Sequence, residues 1–505
     1  MALSKVRSLA LLGLVGHIVD VEVDISDGLP GYTLLGLPDA ALSESRERVR
    51  SALVNSGLPW PNKKVTISLS PAWLPKSGSH FDLPIALGLL AAQGVITSEF
   101  PESLITMGEL GLDGTLRFVR GVLPTLISAL NFGATSAIVP TENFQEASAV
   151  PGLQIRSFTY LSEVVHFFQS GEVPMQELVH PADSPTHSLD LTDVVGQIAA
   201  RRALEISAIG GHHLLLIGPP GTGKTMLAER IPTILPALTA QESLEVSAIH
   251  SVAGSLTSRG VLTRIPPFVA PHHTTTTTAM VGGGSHAVKP GAVSLAHAGV
   301  LFIDEAPECA NGVLDSLRQP LESGSVTISR AVGTVTYPAS FLLVLAANPC
   351  PCGKFNGRGR ACRCSSLQIR NYLKKLSGPL LDRIDIRAFV EAPTRFEMAA
   401  AAAGESSELV KRRVSDARKI AAARFKDERW RINSQIPSSE LRARYKAERD
   451  GMTLLHNELD SERLSARGFH KVLRVAWSIA DAAGHIRPTK DDVEQAIVMR
   501  EGAFL

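Results

Sequence analysis

The chain has 505 residues, 44% of them hydrophobic and 20% charged, and its 50 Lys and Arg almost balance 49 Asp and Glu. That length suits about three domains, and the composition excludes global disorder, a fibrous repeat and a small disulfide scaffold. With a formal net charge of +1, any contact with nucleic acid has to come from a local concentration of basic groups.

Lys5 and Arg7 ahead of residues 8–16 give the start the look of a signal peptide. The segment HIVDVEVDI at 17–25 then alternates strictly, and no small-residue cleavage site precedes it, so a folded strand is expected. Residues 65–69 read as a strand, 83–93 as a helix and 137–139 as another strand. The longest apolar run, 84–96, falls short of the roughly 20 residues of a membrane helix. No membrane segment is expected, and a cytoplasmic location is. Residues 171–189, with Pro174, Pro181 and Pro185 among Ser, Thr and His, read as a linker.

A buried-strand signal at 214–217 runs directly into GPPGTGKT at 218–225, followed by an apolar helix, with Met226 just after the loop a further nucleotide-binding candidate. This is the G-x-x-x-x-G-K-T pattern in strand–loop–helix context. Gly218, Gly221 and Gly223 let backbone N–H groups wrap phosphates, Lys224 supplies a point charge, and the Thr225 hydroxyl is placed for Mg2+. Residues 299–305, GVLFIDE, read as an apolar strand ending in two acids. Asp304 would hold the Mg2+ shell and Glu305 would polarise an attacking water. The strand 341–347 ends in Asn348, which can sit between the γ-phosphate and that water; a plain strand-end turn before Pro349 is the other reading.

Between Glu322 and Asp382 there is no acidic residue, whereas Arg330, Lys354, Arg358, Arg360, Arg363, Arg370, Lys374 and Lys375 all fall there. Within this window, residues 326–336 read as two alternating runs about a turn near Gly333, a hairpin signal. Cys350, Cys352, Cys362 and Cys364 form two close pairs. Four thiolates can close a tetrahedral zinc site, with the basic neighbours tempering its charge; spare thiols or a disulfide are the alternative. Cys309 is expected to be an inert helix residue. After about residue 390, the segments 399–404, 411–426, 468–483 and 489–500 read as an all-helical domain.

These motifs, with LTDVVGQ at 191–197 and SGPLLDRID at 377–385, resemble the AAA+ ATPases. The likeness is strongest to the magnesium-chelatase-related branch and its ComM/YifB-like members. APHH at 270–273, VGGG at 281–284, SLAH at 294–297, LRQPLE at 317–322 and NPCPCG at 348–353 add to it, and it spans essentially the whole chain. The resemblance implies an α/β protein. A Lon-protease-domain-like α+β domain would cover 1–172, a linker 173–190, an AAA+ core 191–392 and a helical lid 393–505. The core would carry a helix insert (266–290), a pre-sensor hairpin (325–338) and the four-cysteine loop (350–364).

The resemblance further implies ATP and Mg2+ as cofactors. Arg383 would be an arginine finger for a neighbouring subunit, and Arg467, in LSAR at 464–467, the lid-borne second sensor. A ring follows, commonly a hexamer. The hairpin's place before the Asn348 strand resembles the channel hairpin of MCM-type ring helicases, with Arg330 as its basic residue. Lys289, near the Thr run at 274–278 and the glycines at 282–284, is the second candidate for phosphate contact. The implied function is an ATP-driven translocase on single-stranded or branched DNA, without sequence preference, resembling ComM-type branch-migration helicases of recombination and integration of incoming DNA. The alternative is a motor that remodels a protein partner, as in chelatase motor subunits.

The chain departs from the family pattern in three places. Trp477 stands where a basic residue is expected, and the Thr run replaces a more mixed insert. In the front domain, LPKSGSHFD at 74–82 and GELGLDG at 108–114 resemble Lon segments, but His80 falls where the nucleophilic Ser is expected and Leu123 where the Lys is. A Ser–Lys dyad cannot be assembled at those positions, although Ser77 and Ser79 lie nearby. A non-proteolytic scaffold is implied, with Lys76, His80 and Asp82 on a polar surface.

Overall fold

The computed structural model describes residues 2–174, 189–256, 262–284, 288–330, 333–355, 362–393 and 404–501. Pro181 and Pro185 of the expected linker, Arg358 and Arg360, and nearly all of the expected helix at 399–404 lie outside the described residues.

The alternation at 17–25 builds the strand Val15–Ser26, whose Val19, Val21 and Val23 are fully buried. It pairs antiparallel with Ala2–Leu12 and with Lys64–Ser70, and Gly31–Leu35 lies parallel to the latter at the sheet's edge. Asp82–Ala92 is a helix buried along its whole length against this sheet. A second sheet holds three parallel strands, Leu104–Thr106, Ser136–Pro140 and Gln154–Phe158. The polar surface expected at Lys76, His80 and Asp82 does not form as such. Lys76 and Asp82 are buried: Lys76 Nζ donates to the Pro71 carbonyl, and Asp82 lies 2.7 Å from Arg48 Nε. Asp82 finds a counter-charge inside the fold, whereas Lys76 has a neutral carbonyl, and burial lowers its pKa. Burial pushes Asp82 up to about 6 against the opposing pull of Arg48.

The central sheet has five parallel strands in the order Phe268–Val269, Val300–Ile303, Leu342–Ala347, Leu214–Ile217, Ile386–Phe389. Continuous apolar runs are what a sheet covered on both faces requires. Leu342, Val344 and Ala346 face the core shared with the helix Ile198–Gly210 and the C-terminal helices Ser407–Arg424 and Ala466–Ala483. Leu343, Leu345 and Ala347 face the other core, with Val293 and Leu314 and with Val326 and Tyr337 of a hairpin. That hairpin pairs Ser325–Arg330 with Gly333–Pro338. The N-terminal unit docks through the helix Ala240–Ala253, where Ser251 donates its hydroxyl to the buried Glu146. Among the described residues, no helix is long and apolar enough to cross a membrane.

The expectation of a helical Cys309 needs correction, and two other marked features gain a place in the fold. Within 266–290 the described residues hold the edge strand Phe268–Val269, one short helix, Thr277–Val281, and a two-residue ladder of Gly282–Gly283 with Lys289–Pro290. β-Branched Thr and repeated Gly are poor helix formers. Cys309 lies outside any helix, just after the turn Ala306–Glu308, and burial pushes its thiol up. Trp477 is a core residue. It is 3% exposed, donates from Nε1 to the Tyr445 carbonyl at 2.9 Å, and lies 4.1 Å beneath the Arg424 guanidinium.

The C-terminal helices are anchored to the start of Ile386–Phe389 through Asp385. Lys471 reaches its Oδ1, and the backbone N–H of His213 donates to its Oδ2 at 3.1 Å. Burial alone would raise this carboxyl, but Lys471, His212 and His213 outweigh it and hold Asp385 well below its ordinary 3.8. A depressed folded pKa contributes stability that is full above the unfolded pKa and is lost as pH falls through the folded one. Denaturant unfolding is therefore expected to show stability dropping below about pH 4. Asp385→Asn should show a shallower acid-side slope, and equal slopes would assign the acid sensitivity elsewhere.

Candidate nucleotide site

Parallel strands bring their C-terminal ends to one side of the sheet, which is where open α/β sheets bind ligands. The loop 218–225 leaves the strand Leu214–Ile217 there and turns into the helix Lys224–Glu229. Gly223 caps that helix at φ 86°, a conformation glycine adopts without steric cost. Lys224 is 7% exposed, and its Nζ donates to the carbonyls of Gly218 (2.7 Å) and Pro219 (2.9 Å) and to Asn348 Oδ1 (3.2 Å). Burial lowers its pKa, while Asp304 and Glu305 pull the other way. Asn348 follows a strand that lies between the loop strand and the strand Val300–Ile303, which runs into Asp304.

Thr225 Oγ1 donates to Asp304 Oδ2 at 2.8 Å. Two oxygens in adjacent positions on one Mg2+ lie about 2.9 Å apart, so this pair already has the spacing of two ligands. Glu305 follows at φ 47°, with Oε2 3.4 Å from His273 Nδ1. Met226, on the first turn of the helix, is 40% exposed. Lys224, Thr225, Asp304, Glu305 and Asn348 therefore converge on one spot.

Arg383 and Arg467 do not join them. Ile386–Phe389 runs parallel to Leu214–Ile217 with Leu214 opposite Ile386. Arg383 precedes that strand, so it lies at the opposite end from the loop, at least about 13 Å away at roughly 3.3 Å per residue. There its guanidinium pairs with Glu322 and donates to the Pro379 carbonyl at 2.7 Å. Arg467 is close by, its Nη1 3.5 Å from Asp382, with a side chain 74% exposed.

Arg330 meets the glycine ladder that carries Lys289. Arg330 closes the hairpin ladder opposite Gly333, and residues 331–332 lie outside the described residues. A Cβ built on Gly283 would stand 3.5 Å from Arg330 Nη2, and Gly283 pairs with Lys289. Both basic side chains belong to exposed residues. The four cysteines also converge, with all four sulfurs within 4.8 Å of one another. Cys350 Sγ lies 3.4 Å from that of Cys352 and 3.7 Å from that of Cys362. The thiols are free, and sulfurs around a tetrahedral zinc at about 2.3 Å would lie about 3.8 Å apart.

Family comparisons agree along the chain. The family described as "Magnesium chelatase, subunit ChlI" matches residues 190–398. "Subunit ChlI of Mg-chelatase" matches 21–143, and "Magnesium chelatase, subunit ChlI C-terminal" matches 404–500. An uncharacterised protein of Mycobacterium tuberculosis is 47% identical over 502 residues, covering 99% of both chains. The uncharacterised protein YifB of Escherichia coli is 42% identical over 99% of this chain and 97% of its own. The competence protein ComM of Haemophilus influenzae is 40% identical over 99% of this chain and 98% of its own. The chain belongs to the ComM/YifB family of magnesium-chelatase-related proteins.

Magnesium-chelatase-family proteins of the AAA+ type are ATPases, and membership points to ATP and Mg2+. In this ComM/YifB-family chain two further residues abut the site with no role assigned from sequence. His273 faces Glu305, and Gln197, at φ 54°, donates from Nε2 to the Thr222 carbonyl at 2.6 Å and to the Glu391 carbonyl at 3.3 Å. Both lie in motifs that carried the resemblance. For His273 the usable signal is a polar residue shortly after a sheet strand, the rule that found Asp304 and Asn348.

Proposed function

We propose that this protein is an ATP-hydrolysing ring motor that translocates on DNA, with branched or single-stranded substrates, as in recombination and the integration of incoming DNA. Lys224 and the amides of 218–225 hold the triphosphate, and Thr225 and Asp304 hold Mg2+. Glu305 and Asn348 order the water, and Arg383 completes a neighbouring subunit's site, joined by Arg467. The observation that carries the DNA reading is the meeting of Arg330 with the Gly283–Lys289 ladder. Two loops distant in sequence combine exposed cations, Thr hydroxyls and glycine amides, the groups that grip a phosphate backbone without reading bases. The relationship to a competence protein supports the same reading.

In the front domain, Leu123 is fully buried and Ser79 donates to Glu109 rather than to a lysine. That supports a scaffold with no peptidase activity. The four-cysteine cluster is read as a structural zinc site.

The test is ATP hydrolysis with and without double-stranded, single-stranded and branched DNA. Stimulation is expected, and Arg330→Ala should lower the DNA-stimulated fraction roughly tenfold, the scale of a lost charge-assisted contact of about 1.4 kcal/mol. An equal loss of DNA-independent hydrolysis would assign Arg330 to the nucleotide site. The chelatase description of all three matched segments favours a second reading, a motor that remodels a protein partner. Absence of stimulation by every DNA form would select it.

A further inference from the structure

The cysteine knuckle begins two residues after Asn348, whose side chain accepts from Lys224. Its turn is closed by the Gly353 N–H donating to the Cys350 carbonyl at 2.9 Å. Gly353 sits at φ 71°, and a Cβ there would overlap the ring of Pro220, the third residue of the candidate phosphate loop. The knuckle and that loop are therefore packed backbone against ring, at a spacing only glycine permits. No other part of the cluster need touch nucleotide for the two to be mechanically joined.

The surroundings of the sulfurs suit a metal. Cys350 is fully buried. The Cys364 N–H points at Cys362 Sγ from 3.4 Å, and Cys352 Sγ lies 3.6 Å from that of Cys362. Amides aimed at sulfur stabilise thiolate ligands and fix their direction, as outer-shell contacts do in metal sites. A cation held by all four sulfurs would tie this turn to the chain at Cys362 and Cys364.

We propose that a zinc ion in this four-thiolate knuckle braces the phosphate loop through the Gly353–Pro220 contact, so that metal occupancy sets nucleotide affinity. The proposal rests on the readings that 218–225 binds nucleotide and that the cysteines take zinc. Zinc bound by Cys350, Cys352, Cys362 and Cys364 supplies the fixed point that ties the two chain segments together, because metal binding free energy is folding free energy for the loop it closes. When the knuckle is empty, the loop samples conformations that do not bind. The apparent affinity then drops by the fraction that remains competent.

The full chain, purified without chelator, is expected to contain about one zinc per chain by elemental analysis. A zinc-selective chelator that spares Mg2+ should weaken binding of a fluorescent ATP analogue roughly tenfold, and zinc added back should restore it. Gly353→Ala should keep its zinc and lose affinity on the same scale, because it perturbs the contact and leaves the ligands in place. Cys352→Ser should lose both. Zinc well below stoichiometric in the wild type would overturn the metal reading. A wild type that holds full zinc as purified but keeps its affinity after stripping would overturn the brace, as would a Gly353→Ala chain with unchanged affinity. A wild type that failed to bind the analogue at all would instead refute the nucleotide site. If the stripped protein loses its fold by circular dichroism, Gly353→Ala alone decides.

Discussion

Lys224→Ala is expected to abolish ATP hydrolysis and to weaken nucleotide binding by more than about 100-fold, equivalent to about 3 kcal/mol for a desolvated charge that loses its role opposite an anion. The size follows from the ammonium's surroundings. It is almost wholly buried, and its three acceptors are two loop carbonyls and the Asn348 amide oxygen, with no carboxylate among them. The loop thus holds a cation in place without neutralising it, and burial lowers its pKa accordingly. Such a group lacks a full counter-charge until a phosphate arrives. The same reasoning predicts that the variant melts no lower than the wild type, because removing a partly desolvated cation relieves a burial penalty. Hydrolysis assays, analogue titration and thermal melts on one preparation check all three outcomes. Retained hydrolysis would move the phosphate site away from 218–225, and a large drop in melting temperature would make the lost activity a folding effect.

Lys224, Thr225, Asp304 and Asn348 were legible in the sequence for a shared reason. Asp304 and Asn348 stand just beyond apolar strands, Lys224 and Thr225 open the helix reached from such a strand by the glycine loop, and a parallel sheet gathers those strand ends at one place. Apolar runs and the residues that follow them are local signals, so no long-range information was needed. His273 and Gln197 were not assigned roles, because neither residue type nor spacing says which loop folds back over the site. Gln197 gains its meaning from carbonyls 25 and 194 positions away. Lys76 and Asp82 were misplaced for the same cause. Their charges suggest a surface, and only the packing of Arg48 against Asp82 shows otherwise. Trp477 reads as a break in a basic pattern, yet its environment is an aromatic cluster with Tyr445 and the Arg424 guanidinium. The near-zero net charge shows the limit of averaging. The hairpin end sets Arg330 beside the two-residue ladder that carries Lys289, which no total can register.

Arg383→Ala is expected to lower ATP hydrolysis by about 1000-fold while leaving affinity for the nucleotide within about twofold, the pattern of a guanidinium that acts on the transition state. The register makes the claim sharper than the motif alone. Arg383 stands at the far end of a strand that runs parallel to the loop strand, beyond the reach of its own phosphate site. If it contributes to catalysis, it serves another protomer. Its guanidinium is not idle in the single chain, since Glu322 and the Pro379 carbonyl hold two of its nitrogens while Nε has no partner. A neighbour's phosphate would compete with Glu322 for the same group. Mixing protomers separates the two roles. An Arg383→Ala chain keeps its loop, and a Lys224→Ala chain keeps its arginine, so a random equal mixture places both intact halves at roughly a quarter of the interfaces of a closed ring. Hydrolysis should then rise well above the average of the two inactive parents, toward that quarter of wild type. Activity no higher than the parents would leave Arg383 as the structural partner of Glu322 and remove the reason for reading the assembly as a ring.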